Sequence, residues 1–266
     1  MDMAVATSIY KNNNFDPFET IKYAVENKIP AIQFFMDKKL QDDLQKIENI
    51  RDLCQKSLIK ILCHSSQEIG NVSHDTAHCK ALSSIFLPET NKYCIFHFSE
   101  EADVYSMISD CEKLVNFGLI PCIENFYKER TLDSLKVNMK KYLSFFDIAF
   151  EKDIPVIPVL DFPRLFVKKF IDFNPVSLSK LLIQKFAKRK IIIHAIDSVL
   201  PCENRKSWCA IGNKRGIVAW TDIFECIKNQ GVSVEYTVLE YENTCFINDS
   251  IKNLEKFMAA TFNAGA

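Results

Sequence analysis

Short apolar runs alternate with longer amphipathic stretches along the whole chain. The runs predict strands over residues 3–10, 31–36, 58–65, 93–98, 119–126, 155–161, 190–197 and 232–241. They are rich in Ile, Val and Phe, and several are continuous rather than alternating, as expected for parallel strands covered on the outside by helices. Between them the apolar positions recur at helical spacing. Asp16-Pro17-Phe18-Glu19 opens one helix with a capping aspartate, a proline at the first helical position and an acidic first turn. Residues 42–56 place Leu44, Ile47, Ile50 and Leu53 on one expected buried face. Residues 99–117, 131–150, 177–188, 221–229 and 251–262 continue the series of helices.

Eight strands alternating with helices in 266 residues have the count and size of a (β/α)8 TIM barrel, an α/β fold spanning residues 1–266 as a single domain. No glycine-rich dinucleotide turn follows the first strand, which argues against a doubly wound open sheet. No linker, internal repeat or low-complexity tract divides the chain.

Composition narrows the function classes. With 33 basic and 34 acidic side chains the net charge is -1, which gives no global attraction to nucleic acid or an anionic membrane. No apolar run reaches the ~18–20 residues of a spanning helix. Residues 1–10 lack the basic head and apolar stretch of a secretory signal. The ten cysteines contain no Cys-x-x-Cys pair and several sit in apolar runs, so reduced thiols in a cytoplasmic protein are expected.

The chemistry gathers at the predicted C-terminal ends of the strands, which in a barrel point at one mouth. The third run ends in Cys63-His64-Ser65 and the fourth in Phe96-His97-Phe98. The fifth ends in Ile123-Glu124-Asn125 and the sixth in Leu160-Asp161-Phe162. The seventh carries His194 and Asp197, and the eighth Glu240. Three of the five histidines fall at these ends. Alone, each residue fits an ordinary core or loop position. Together, carboxylates converging on a barrel mouth call for a compensating cation, and a shell of Glu, Asp and His suits Mn²⁺, Zn²⁺, Co²⁺ or Mg²⁺. His74 and His78 have the spacing of a metal pair on a helix but no third ligand nearby, so a solvated helix or loop is expected there.

These residues carry a resemblance. Cys122-Ile123-Glu124-Asn125, Val159-Leu160-Asp161, Ile193-His194-Ala195-Ile196-Asp197 and Val238-Leu239-Glu240 occur in the order and spacing of the xylose isomerase-like TIM barrels. That superfamily includes sugar isomerases and epimerases and the endonuclease IV-type apurinic endonucleases. The segment from Ile211 to Ile217, followed by Trp220, is similar to the family's G-E-G-x-I-D-W turn, with one extra residue and without its glutamate. The resemblance implies that Glu124, Asp161, His194 and Glu240 hold one divalent metal ion. It also implies that Glu124 and Glu240 exchange protons with a bound sugar or sugar phosphate through a metal-stabilised enediolate, while His64, His97 and Arg164 contact the substrate.

The endonuclease branch resembles the same strand ends differently, with His64, His97 and Glu124 around a second metal and a run close to His194–Ser198. Arg164 stands where that branch has a histidine for a third metal. Ser207-Trp208-Cys209-Ala210 stands where it has Asp-x-His. Gln33 replaces a glutamate common among the relatives. Arg164 either binds a substrate carboxylate or phosphate or pairs with Asp161 or Glu124. The expected function is therefore a metal-dependent sugar or sugar-phosphate isomerase or epimerase. The alternatives are a binuclear phosphodiesterase and a degenerate barrel that only binds a ligand. Nucleic-acid and membrane partners are not expected; a homo-oligomer is compatible with the high phenylalanine count.

Overall fold

Eight parallel strands close into a barrel in the computed structural model, which describes residues 1–72, 75–125, 131–167, 174–201 and 207–262. The strands are Asp2–Ala6, Ala31–Met36, Lys60–Glu68, Tyr93–His97, Ile120–Glu124, Ile157–Asp161, Lys190–Ala195 and Ser233–Leu239. Each lies beside its neighbour in sequence. The first and eighth complete the ring, with Ala4 opposite Val238. Helices cover the outside, and the expected α/β TIM barrel is the fold found. Among the described residues, no helix is long and apolar enough to cross a membrane.

Strand alternation sorts the side chains into two packed layers. Ile61, Cys63, Phe96, Ile123, Leu160, Ile191 and Ile193 point outward against the helices. Ala31, Leu62, Ile95, Cys122, Val159, Ile192 and Val238 point inward and fill the barrel. Outside the barrel, Phe146 meets Tyr142, Phe145 and Phe186 edge to face at 5.0, 5.0 and 4.9 Å between ring centres. Such pairs contribute about 0.5–1.5 kcal/mol each beyond the area they bury. Much of the phenylalanine content is therefore core.

Local signals fix the helix starts. The Asp16 carboxylate accepts from the Phe18 and Glu19 N–H groups at 2.9 and 3.3 Å, and Pro17 opens the helix Pro17–Glu26. The helix expected from residue 99 begins only at Val104, capped by Asp103. The helix expected over residues 42–56 is Leu44–Lys56. Its buried face carries Ile47, Ile50 and Cys54, whereas Leu44 is 61% exposed and Leu53 36% exposed. Two leucines of the expected stripe thus lie off the face that meets the barrel. The third strand starts at Lys60, because Leu58 takes a positive φ of 57° in the turn before it.

The helix Thr76–Ser84 overturns the expectation for His78. His78 is fully buried rather than solvated. Its Nδ1 lies 3.0 Å from the Gln41 amide oxygen, which can only accept, so Nδ1 carries the proton. Nε2 then accepts from the Ser65 hydroxyl at 2.8 Å. Both ring nitrogens are thus used structurally. His74 and Phe126 lie outside the described residues.

After the seventh strand, Asp197–Ser198 pairs antiparallel with Trp208–Cys209. Asp197 is fully buried, and its Oδ1 accepts from the N–H groups of Ser198 at 2.8 Å and Val218 at 3.2 Å. Gly216 packs so closely on this carboxylate that a Cβ there would lie 2.3 Å from Oδ2. The glycine of the segment that precedes Trp220 is required by that approach.

Candidate metal centre

Each residue of the site stands one inward position beyond the apolar layer. On the second strand Ala31 is followed by Gln33, on the third Leu62 by His64, and on the fourth Ile95 by His97. On the fifth Cys122 is followed by Glu124, on the sixth Val159 by Asp161, and on the seventh Ile192 by His194. Glu240 lies two residues after Val238, just past the eighth strand. Period-two geometry therefore aims seven polar side chains at one mouth. Asn125 braces two of these strands: its amide oxygen accepts from the Asp161 N–H at 2.6 Å, and its NH₂ group donates to the Asp161 carbonyl at 3.3 Å.

Glu124 is the hub and is fully buried. Its Oε2 lies 3.1 Å from Nε2 of both His64 and His97. Its Oε1 lies 2.5 Å from Arg164 Nη2 and 3.4 Å from His194 Nδ1. Burial pushes its pKa up, but Arg164, His97 and His194 together hold it well below the usual carboxylate range. His64 Nδ1 is 2.9 Å from the Ser65 carbonyl, so that nitrogen donates and Nε2 is the one turned to Glu124.

His194 and Glu240 are held by Gln33. The Gln33 NH₂ group donates to Glu240 Oε1 at 2.6 Å, because a carboxylate offers only acceptors. The Gln33 amide oxygen then faces His194 Nε2 at 2.9 Å, which fixes the Nε2–H donor. His194 Nδ1 is left between Glu124 Oε1 and Glu240 Oε2, the latter at 3.2 Å. Burial opposes charge on His194, but Glu240 and Glu124 outweigh it and push the pKa up to about 10. Glu240 is pushed up by burial and held down more strongly by His194, so it stays ionised at neutral pH.

Arg164 belongs to the short 3-10 turn Phe162–Leu165 that follows the sixth strand. The turn folds its guanidinium back so that Nε binds Asp161 Oδ2. Nη2 lies 3.4 Å from His97 Nε2. Asp161 is pushed up to about 6, chiefly by burial, with Arg164 opposing and Glu124 and Glu240 adding to the rise.

The donor set fits a divalent cation. One ligand atom from each of Glu124, Asp161, His194 and Glu240 can be chosen so that all four lie within 4.8 Å of one another. Glu124 Oε1 and His194 Nδ1 are buried and held only by ionic neighbours, Arg164 and the facing carboxylates, rather than by well-aligned hydrogen bonds. Buried polar atoms in that state, aimed at one point among carboxylates, suit coordination. Two further groups overlap this one: His64, His97 and Glu124, and His64, His194 and Glu240.

His64, His97, Glu124, Asp161, Arg164, His194 and Glu240 converge here, whereas Asp197, also singled out at a predicted strand end, instead binds the loop backbone at Ser198 and Val218. Gln33, read in the sequence only as a departure from the relatives, sits at the centre of the His194–Glu240 contact. Its inward position after Ala31 was the available signal.

No family model matches the chain and no curated protein matches it. Solved structures do. A xylose isomerase domain protein from Planctomyces limnophilus is 12% identical over 99% of this chain and 98% of its own, with a TM-score of 0.63. D-psicose 3-epimerase with D-tagatose, from Clostridium cellulolyticum H10, is 11% identical over 99% and 97%, at 0.56. The probable 3-DHS dehydratase AsbF of petrobactin synthesis, from Bacillus anthracis, is 14% identical over 96% and 99%, at 0.60. The chain therefore shares the TIM-barrel fold of a xylose isomerase domain protein, an epimerase and a probable dehydratase.

Proposed function

We propose that this chain is a divalent-metal-dependent isomerase or epimerase of a sugar or sugar phosphate. The observation that carries the reading is the placement of His194 Nδ1 between two carboxylates, Glu124 and Glu240, with Asp161 completing a four-residue donor set. A bound Mn²⁺, Co²⁺, Zn²⁺ or Mg²⁺ would stabilise negative charge on the carbonyl and hydroxyl oxygens of the sugar. Glu240, partly exposed at the mouth and ionised at neutral pH, serves as the base that takes a proton from the carbon beside the carbonyl. In an isomerisation Glu240 returns that proton to the neighbouring carbon. In an epimerisation Glu124, on the other side of His194, must first be protonated from solvent before it returns a proton to the opposite face, and Glu240 releases the one it took. Gln33 fixes the Glu240 carboxylate and the His194 ring, and His64 and His97 line the same mouth, where a substrate hydroxyl would compete with Glu124 for their Nε2 atoms. The epimerase among the structural neighbours supports the substrate class.

The test is deuterium uptake from heavy water into a panel of ketoses, aldoses and their phosphates, with each metal supplied. Exchange at the carbon next to the carbonyl is expected, and Glu240→Gln should lower its rate by about 100-fold or more. Wild-type exchange in that variant, or no exchange with any sugar, contradicts the proposal. A second reading, two-metal phosphodiester hydrolysis, is favoured by the overlapping His64, His97 and Glu124 group. Nicking of abasic DNA without sugar exchange would select it.

A further inference from the structure

We infer that Arg164 and the divalent cation compete for one position, so that the arginine is a built-in counter-cation of the metal-free barrel. The inference rests on the metal reading above. A single guanidinium covers two of the four proposed ligands: Nε binds Asp161 Oδ2, and Nη2 lies 2.5 Å from Glu124 Oε1. Its own backbone holds it there. Asp161 caps the 3-10 turn by accepting from the Arg164 N–H at 3.4 Å, so ligand and competitor are joined by three residues of fixed chain.

The oxygen that Nη2 approaches is the one facing His194 Nδ1, which places the guanidinium over the shared point of the donor set. Arginine stays charged at any pH the protein meets, so it cannot step aside by losing a proton. A divalent ion bonded to the same two carboxylates would meet that charge at close range in a buried site, where screening is weak. Metal entry therefore requires the Arg164 side chain to leave both carboxylates. With 23% of that side chain exposed, the arginine is already in contact with solvent. The arginine thus satisfies the carboxylates of the metal-free protein and lowers its affinity for metal.

The experiment is calorimetric titration of the wild type, Arg164→Gln and Arg164→Lys with Mn²⁺ and with Zn²⁺ near neutral pH. Arg164→Gln should bind at least about tenfold more tightly than the wild type, which corresponds to about 1.4 kcal/mol. Arg164→Lys, which keeps the charge but lacks the planar pair of N–H donors that now engages both carboxylates, should fall between them. In the wild type, the Arg164 Nε–H nuclear magnetic resonance signal, assigned by its loss in either variant, should shift and lose exchange protection as metal is added. Equal affinities with an unmoved Nε–H signal overturn the inference while leaving the metal site standing. No binding by any of the three proteins overturns it and removes the metal reading as well.

Discussion

At the scale of single residues, the site was legible because strand alternation is rigid. Once Leu62, Val159 and Ile192 are read as barrel filling, His64, Asp161 and His194 must face the same space two residues on. The partners within that space were not legible. Nothing in the local sequence says that Gln33 bridges residues 161 and 207 positions away, or that Arg164 reaches across to Glu124. Those contacts depend on the stagger of strands around the barrel. His78 shows the opposite failure, since its spacing from His74 is that of a metal pair and the lack of a third ligand pointed to a solvated helix or loop, while burial against Ser65 and Gln41 decides its role. Burial also lowers its pKa, which keeps the ring neutral. His78→Leu should cost about 1–3 kcal/mol in denaturant unfolding, because Ser65 and Gln41 each lose a buried partner. Zinc affinity should not change. A fall in affinity without loss of stability would make His78 a ligand instead.

At the scale of elements, the short apolar runs located every barrel strand, but their ends moved with turn chemistry. Leu58 extends the apolar run of the third strand, yet its positive φ puts it in the preceding turn. The helix Thr76–Ser84 went unpredicted because its buried face is made largely of His78, Cys79 and Ala81, a weak apolar signal. The loop after the seventh strand depends on one buried carboxylate. Burial, the main influence, pushes Asp197 up to about 6 against the opposing backbone N–H groups of Ser198 and Val218. A carboxyl whose pKa is higher in the folded chain than in the unfolded one favours folding when protonated. That contribution is complete below about pH 4 and is lost as pH rises through about 6. The stability of the wild type relative to Asp197→Asn should therefore fall by about 2 kcal/mol between about pH 4 and about pH 7. A difference that stays flat across that window would contradict the account.

At the scale of the whole molecule, the barrel concentrates three carboxylates at one mouth of a chain whose net charge is only -1. The surface supplies no long-range field to offset them, so the compensation has to be local. His194 and Arg164 provide part of it, and the spacing of the remaining donor atoms suits a divalent ion. Among the described residues the candidate ligand groups are made of His, Asp and Glu without a cysteine. Metal content per chain is the most direct test. The protein, purified without chelators, saturated with Mn²⁺, Co²⁺ or Zn²⁺ and then desalted, should hold about one ion per chain by elemental analysis, and Asp161→Asn should hold markedly less. No retained metal in the wild type, or the same content in Asp161→Asn, would contradict the proposed centre.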